Sequence, residues 1–211
     1  MLIKLPLFPL KLVVFPNETL NLHVFEPRYK QLVNDCVESG ATFGISTFLN
    51  NKVQAWGTEI RIHSITNTYK DGRMDISTKG DRIFRIENFK NPMDRQKLYA
   101  GGEIEFKEFT DEVSNERRAK LLKLLEVFFE LIKIDIDVPV NDPFLSFRVG
   151  HKLGLSLRQE YQLLKTKSEG ERIAVLIDHL EGNIPVVRAM EKAKDRIKKN
   201  GHFKNFDPIN F

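Results

Sequence analysis

Leu22-His23-Val24-Phe25-Glu26-Pro27-Arg28-Tyr29 is the stretch in which the chain changes from a strand pattern to a helix pattern. Upstream, Leu20, Leu22 and Val24 alternate with polar residues, and this period of two predicts a half-buried strand. Downstream, Pro27 suits the first turn of a helix, where no helical N–H bond is lost. Apolar residues then recur at helical spacing, at Tyr29, Leu32, Val33 and Cys36 or Val37. Gly40 follows, and glycine is typical of helix ends. The stretch therefore predicts a strand that leads directly into a helix.

The rest of the first half of the chain has strand character. Ile3, Leu5 and Leu7 alternate with other residues, and β-prone runs follow at residues 43–49, 53–56, 59–69, 74–77, 83–89 and 98–109. Asp71-Gly72 separates two of these runs, which predicts a hairpin whose two central residues both have positive φ. One helix and about eight strands are thus expected before residue 110.

The second half of the chain has helical periodicity. The first helix is predicted over residues 116–134, and the second begins with an N-cap at Asp142 and Pro143 in the first turn. Two more are predicted over 157–165 and 169–181, behind a Ser-x-x-Gln and a Ser-x-x-Glu capping box. A last helix is predicted from Pro185 to about Asn200. Gly182-Asn183 is expected to end the fourth helix. The tail, residues 202–211, holds three Phe and is expected to pack back on the protein. The sequence thus predicts an α+β protein with a β-rich domain, residues 1–110, and a helical bundle, residues 111–211.

Cysteine usage and charge indicate the compartment. Cys36 is the one cysteine, so no intrachain disulfide can form. No signal sequence and no run of about 18 apolar residues are present. We therefore expect a cytoplasmic protein without membrane association. Residues 186–211 carry seven basic and three acidic side chains, which fits either a solvated helix face or binding to nucleic acid.

Motifs for catalysis are not found in the sequence. A phosphate-binding loop needs a Gly-Lys pair, and none occurs. The five histidines are too scattered to bind a metal at the spacing zinc sites use. Cys36 lies on the apolar stripe of its helix and is interpreted as a small core residue. Asp135, Asp137 and Asp142 lack the Gly and closing Glu of a calcium loop. We therefore expect no catalytic residues, no metal, no cofactor and no enzymatic activity.

Several segments together resemble one known family, the N-terminal substrate-binding domain of Lon proteases. The resemblance lies in Leu5-Pro6-Leu7-Phe8-Pro9-Leu10, Val13-Val14-Phe15-Pro16, the stretch from Leu22 to Tyr29, Phe43-Gly44, Gly57-Thr58, Thr78-Lys79-Gly80-Asp81-Arg82-Ile83, Leu153-Gly154-Leu155-Ser156 and Glu171-Arg172-Ile173. It covers about residues 1–185. It implies a PUA-like β-domain, a small barrel or pair of sheets with one helix, followed by a helical bundle. It also implies a stand-alone copy that lacks the ATPase and protease modules.

The resemblance implies a non-catalytic role in recognising unfolded or extended polypeptide, in association with a protease or a chaperone. Aromatic and Arg side chains are the usual anchors of such interfaces. The residues expected to line the binding groove are Phe15, Phe25, Arg28, Tyr29 and Trp56. For Trp56 the competing interpretation is a core residue.

Two other functions remain open at this point. A PUA-like fold could bind RNA through the basic segment at residues 188–204, and salt should then weaken the complex steeply. An enzyme acting on small molecules is the third hypothesis, because residues distant in sequence can converge in a folded chain.

Overall fold

The structure of the protein, a computed structural model, describes residues 1–201, and the side chains of residues 1–197. Six strands come first, with one helix, α1, between the second and the third. They are β1 (Ile3–Leu10), β2 (Thr19–Val24), α1 (Pro27–Ser39), β3 (Phe43–Leu49), β4 (Lys52–Thr68), β5 (Met74–Lys90) and β6 (Ala100–Phe106). Four helices follow: α2 (Asn115–Ile132), α3 (Leu145–Val149), α4 (Leu157–Lys165) and α5 (Glu169–Gly201). The prediction of an α+β chain is confirmed. None of the helices described is both long and apolar enough to cross a membrane.

Five of the strands close into a barrel. β1 pairs in parallel with β3 and antiparallel with β6. β3, β4 and β5 follow as antiparallel neighbours, and β5 pairs with β6 to complete the ring. Closure is possible because β5 is 17 residues long. One edge of β5 pairs with β2 along the first half of the strand and with β6 along the second half.

Two glycines make room for a phenylalanine inside the barrel. Phe84 is fully buried. A side chain on Gly44 would lie 2.6 Å from the Phe84 ring, and one on Gly57 would lie 2.7 Å from it. Both distances are shorter than a van der Waals contact, so only glycine fits opposite this ring.

The helix α1 covers one face of the sheet. Its bounds match the prediction, and Gly40 ends it with φ 66° in the left-handed conformation. Its apolar stripe packs on the sheet in one cluster with Phe8, Val24, Phe43, Ile45, Ile60, Met74 and Ile76. The strand-to-helix change in residues 22–29 therefore places the start of α1 beside the sheet.

The helical half has its own core, centred on α2 and α5. Its buried members include Leu121, Leu125, Phe128, Leu176 and Leu180. Three residues of the first half, Val13, Phe15 and Ile83, belong to the same cluster. The two halves therefore share buried surface.

The predicted break at Gly182-Asn183 is wrong. The helix α5 runs without interruption from Glu169 to Gly201, with Pro185 inside it. A proline inside a helix costs about 3 kcal/mol, but Leu180 and Ile184 are buried on either side of the expected break. The Asn183 side chain also donates a 2.8 Å hydrogen bond to the carbonyl of His179. Packing thus overrides the local stop signal.

Two other local predictions differ in detail. The helix predicted behind Asp142 starts at Leu145 and not at Pro143, because the Asp142 carboxylate accepts a hydrogen bond from the backbone N–H of Phe144. The hairpin at Asp71-Gly72 is present, but of these two residues only Gly72 has positive φ. The strand pairing begins at Thr68 and Met74, so the connection is longer than a two-residue turn. The predicted packing of the tail, residues 202–211, lies outside the described residues.

A buried ion pair joins three segments of the helical half. Arg172 and Glu169 are both fully buried on α5, with 2.9 Å between Arg172 Nη2 and Glu169 Oε2. The Ser146 hydroxyl donates to Glu169 over 2.6 Å. Arg172 also donates to the carbonyls of Thr166 and Lys167, which follow α4. The polar atoms of this pair are satisfied without water, and they fix the start of α5 against α3 and the end of α4.

His151 links the two halves at the surface. Its Nδ1 lies 2.8 Å from Glu160 on α4 and its Nε2 lies 3.1 Å from Glu18 in the β1–β2 connection. Burial against Phe15 would lower the pKa of His151, but the two carboxylates outweigh burial and raise it to about 9. The imidazolium is therefore the form that bridges the halves at neutral pH.

The His151 bridge predicts a pH-dependent stability. The pKa of His151 is near 6.5 in an unfolded chain and is raised in the folded state. The stabilisation is thus complete below pH 6.5 and is lost as pH rises through about 9. We expect a loss of about 1–2 kcal/mol between pH 6.5 and 9.5, after a discount for solvent screening. Urea unfolding at several pH values measures it. A His151→Gln variant should show a flatter profile, and an unchanged slope would contradict the prediction.

Candidate functional site

A cleft opens at one mouth of the barrel. It has a volume of about 390 Å3 and lies where β1 and β3 end, β4 begins and β5 ends. The residues that line it are Pro9, Lys11, Arg28, Tyr29, Phe48, Val53, Phe89, Asn91 and Ala100. Barrel mouths are common ligand sites because strand ends surround them while the interior stays packed.

The start of α1 forms one wall of the cleft. Tyr29 is 5% exposed and its ring stacks on Phe8 with 3.6 Å between the ring centroids. The Arg28 guanidinium lies 4.5 Å from the centre of the Tyr29 ring and pairs with Glu26 over 2.8 Å. Burial raises the pKa of Tyr29, although the nearby Arg28 acts in the opposite direction. Tyr29 is therefore a neutral aromatic floor with a positive charge at its rim.

The opposite wall is built from strand ends and is more apolar. Phe48 is the next-to-last residue of β3, Val53 is the second residue of β4 and Phe89 is the next-to-last residue of β5. Phe48 and Val53 are half-buried, while Phe89 is 40% exposed. Phe89 therefore offers apolar surface beside the cleft that a ligand could cover.

The structure brings together two of the five residues predicted to line the site. Arg28 and Tyr29 line the cleft, whereas Phe15, Phe25 and Trp56 do not. Phe25 is 58% exposed, but its ring lies beside His23 and is not part of the cleft lining.

Phe15 and Trp56 contact the helical half of the chain. Phe15 is 1% exposed and stacks on Phe147, so it belongs to the core and cannot line a groove. Trp56 is half-buried, contacts Phe109 edge-on, and donates its backbone N–H to the hydroxyl of Tyr161. Both residues therefore join the barrel to the helices and lie outside the cleft.

The sequence prediction missed three residues of the cleft, namely Phe48, Val53 and Phe89. Each is an apolar residue at the end of a β-prone run. Phe48 and Val53 flank Asn50 and Asn51, which both have positive φ in the β3–β4 turn. Apolar residues that continue to the tip of a hairpin are a usable signal for an exposed binding surface, although the barrel closure that gathers them is not visible in the sequence.

A second groove lies in the helical half. It has a volume of about 730 Å3 between α2 and the segment that follows it. Its apolar lining comes from Leu122, Leu125, Phe129, Ile134, Ile136, Val138 and Val140. None of the five predicted site residues lies in it. Its charged residues are of both signs, namely Lys123, Lys133, Glu126, Glu130 and Asp135.

The side chains considered for catalysis lie outside the cleft. Cys36 is 3% exposed, and burial raises the pKa of its thiol to about 11, so a reactive thiolate does not form near neutral pH. Asp142 pairs with Arg148 over 2.6 Å. Within residues 1–197, no three His, Cys, Asp or Glu side chains are grouped as metal ligands would be. The chemistry that the cleft offers is apolar contact next to positive charge.

Comparisons with known proteins point to one family. A family model for the substrate-binding domain of the ATP-dependent protease La (LON) matches residues 4–182. The structure is similar to that of a Lon N-terminal domain protein from Xanthomonas campestris, with a TM-score of 0.68 and 28% identity, over 83% of this chain and 98% of that one. The N-terminal domain of a Mycobacterium avium complex Lon protease gives a TM-score of 0.63 at 15% identity, over 84% of this chain and 98% of that one. That second likeness concerns the fold alone. The comparison with curated proteins gives no match.

Proposed function

The chain belongs to the LON substrate-binding domain family, and from this premise we propose that it recognises extended or unfolded polypeptide without acting on it chemically. The proposed site is the cleft at the barrel mouth. Residues 1–110 hold every residue of its lining, and we assign the binding role to this β-domain. The helices α2 to α5 then support the barrel through the buried surface that the two halves share.

One observation carries the proposal, namely the aromatic wall that the barrel leaves exposed. Phe89 is 40% exposed beside half-buried Phe48 and Val53, above the Tyr29 floor. Removing apolar surface from water contributes about 25 cal/mol for each Å2 covered. Unfolded chains expose aromatic and aliphatic side chains that folded proteins bury, so this surface favours them over folded competitors.

The proposed role of the cleft is binding without peptide hydrolysis. Among the residues that the structure describes, the cleft lining has no Ser, Cys, His, Asp or Glu side chain. A bound segment would therefore be released intact or passed to a protease or a chaperone. The single, buried Cys36 fits a reducing compartment, and we place the protein in the cytoplasm.

Fluorescence anisotropy of a labelled, permanently unfolded protein tests this function. We expect saturable binding that persists at high salt and is displaced by an unlabelled unfolded chain. A folded protein and an RNA serve as competitors and should displace little. If only the RNA competes and salt abolishes the signal, polypeptide recognition is wrong and the complex is electrostatic.

A further inference from the structure

The barrel wall is split where the cleft opens. The β4–β5 ladder ends at the pair Trp56 and Arg85. Before Trp56, β4 pairs only with β3, through Val53 and Lys52. After Arg85, β5 pairs only with β6. In the part of the chain that the structure describes, residues 52–55 and residues 86–90 thus have no strand partner on the edges that face each other.

Register shifts hold the split open. One lies between Ser46 and Phe48 on the β3 side of β4, and another between Ile86 and Asn88 on the β6 side of β5. A bulge bends its strand and increases the local twist. Two bulges on opposite sides of the gap therefore turn the two strand ends apart, which leaves Val53 and Phe89 in the same cavity.

Two facing strand edges determine the shape of a ligand. Backbone N–H and C=O groups along an open edge can pair with an added strand, whose alternate side chains then point to one face. In the split, that face is the cleft with Phe48, Val53 and Phe89. An extended segment thus gains backbone hydrogen bonds and apolar contacts together.

The charges at the rim determine the composition of the ligand. Lys11 and Arg28 are the charged residues among the lining. Lys52 is exposed next to Val53, on the opposite face of β4. Within the described residues, Arg28 is paired with Glu26, but no ion pair is recorded for Lys11 or Lys52. These two ammonium groups, one at the cleft and one on the face to which the intervening side chains of an added strand point, favour a ligand that carries carboxylates and disfavour a basic one.

We propose that the cleft binds an extended segment as an added β-strand in the β4–β5 split, and that the segment carries bulky apolar residues at alternate positions with acidic residues between them. This proposal rests on the proposed function and names the class of polypeptide that the site takes.

A set of matched synthetic peptides tests the added strand. One labelled, alternating Phe/Val and Asp/Glu peptide is compared with versions N-methylated at single backbone amides. Methylation removes one donor and leaves the side chains unchanged. Successive amides of a strand point to its two sides in turn, so we expect methylation of any amide inside the split to weaken binding by about tenfold, with little change at the ends of the peptide. Equal tolerance at every position would overturn the added strand while leaving polypeptide recognition standing.

A charge exchange tests the composition. Replacing the acidic residues of the peptide by Lys should weaken binding by about tenfold at low salt, and a Lys11→Glu, Lys52→Glu variant should reverse that preference. Both substituted positions are exposed, so the fold is expected to tolerate them. A preference that stays unchanged in the variant would overturn the proposal. Absence of binding by every peptide and by an unfolded protein would instead remove the proposed function itself.

Discussion

Replacing Arg172 by alanine is expected to lower the free energy of unfolding by about 3–5 kcal/mol, because a buried carboxylate is left without its cation. Glu169 is 0% exposed and would keep only its bonds to Ser146. The carbonyls of Thr166 and Lys167 would lose their donor as well. The Arg172 guanidinium also lies 4.3 Å from the Phe147 ring, so packing is lost together with charge.

Urea unfolding monitored by circular dichroism measures this effect, and Lys120→Ala is the matched control. Lys120 on α2 pairs with Glu181 on α5 over 2.7 Å, but both side chains are about half exposed. Exposed pairs contribute about 0–1 kcal/mol. A loss at Arg172 no larger than the loss at Lys120 would show that the buried network does not hold α3 and α4 to α5.

Elements set by local chemistry were predictable from the sequence. The bounds of α1 follow from Pro27 at its start and Gly40 at its end. The capping box at Ser156 and Gln159 starts α4 as predicted, with side-chain bonds in both directions. In each case the residues that decide the boundary lie within a few positions of it, so no tertiary information is needed.

Features set by tertiary packing were not predictable. Gly182, Asn183 and Pro185 give a stop signal that is locally valid, yet the buried neighbours Leu180 and Ile184 keep α5 continuous. Phe15 is in the family-like motif, but α3 and His151 cover it. Only the fold reveals which motif residues reach solvent.

The full set of cleft residues was likewise not predictable, because barrel closure brings them together. Arg28 and Tyr29 were predicted because they lie in the stretch that resembles the family and because aromatic and Arg side chains are the usual interface anchors. Phe48, Val53 and Phe89 come from three strands that meet only when β5 pairs with both β4 and β6. A period-two pattern shows that a residue faces one side of a sheet, but it does not show which strands will be neighbours.

Phe89→Asp is expected to weaken the binding of unfolded polypeptide by at least about tenfold. The substitution removes the most exposed ring of the cleft wall and places a carboxylate where apolar side chains would be buried. Desolvating that carboxylate opposes binding. The Phe89 side chain is 40% exposed in the free protein, so the cost to folding should be much smaller than the cost to binding.

The affinity of Phe89→Asp relative to Phe25→Asp is the most direct measurement of where polypeptide binds. The two variants carry the same chemical change at exposed phenylalanines of the β-domain, one inside the cleft and one outside it. Thermal unfolding first confirms that both remain folded, and anisotropy with one labelled unfolded chain then gives the two Kd values. We expect Phe25→Asp to bind as the unaltered protein does and Phe89→Asp to bind at least about tenfold more weakly. Equal affinities, or a larger loss in Phe25→Asp, would show that the barrel mouth is not the binding site.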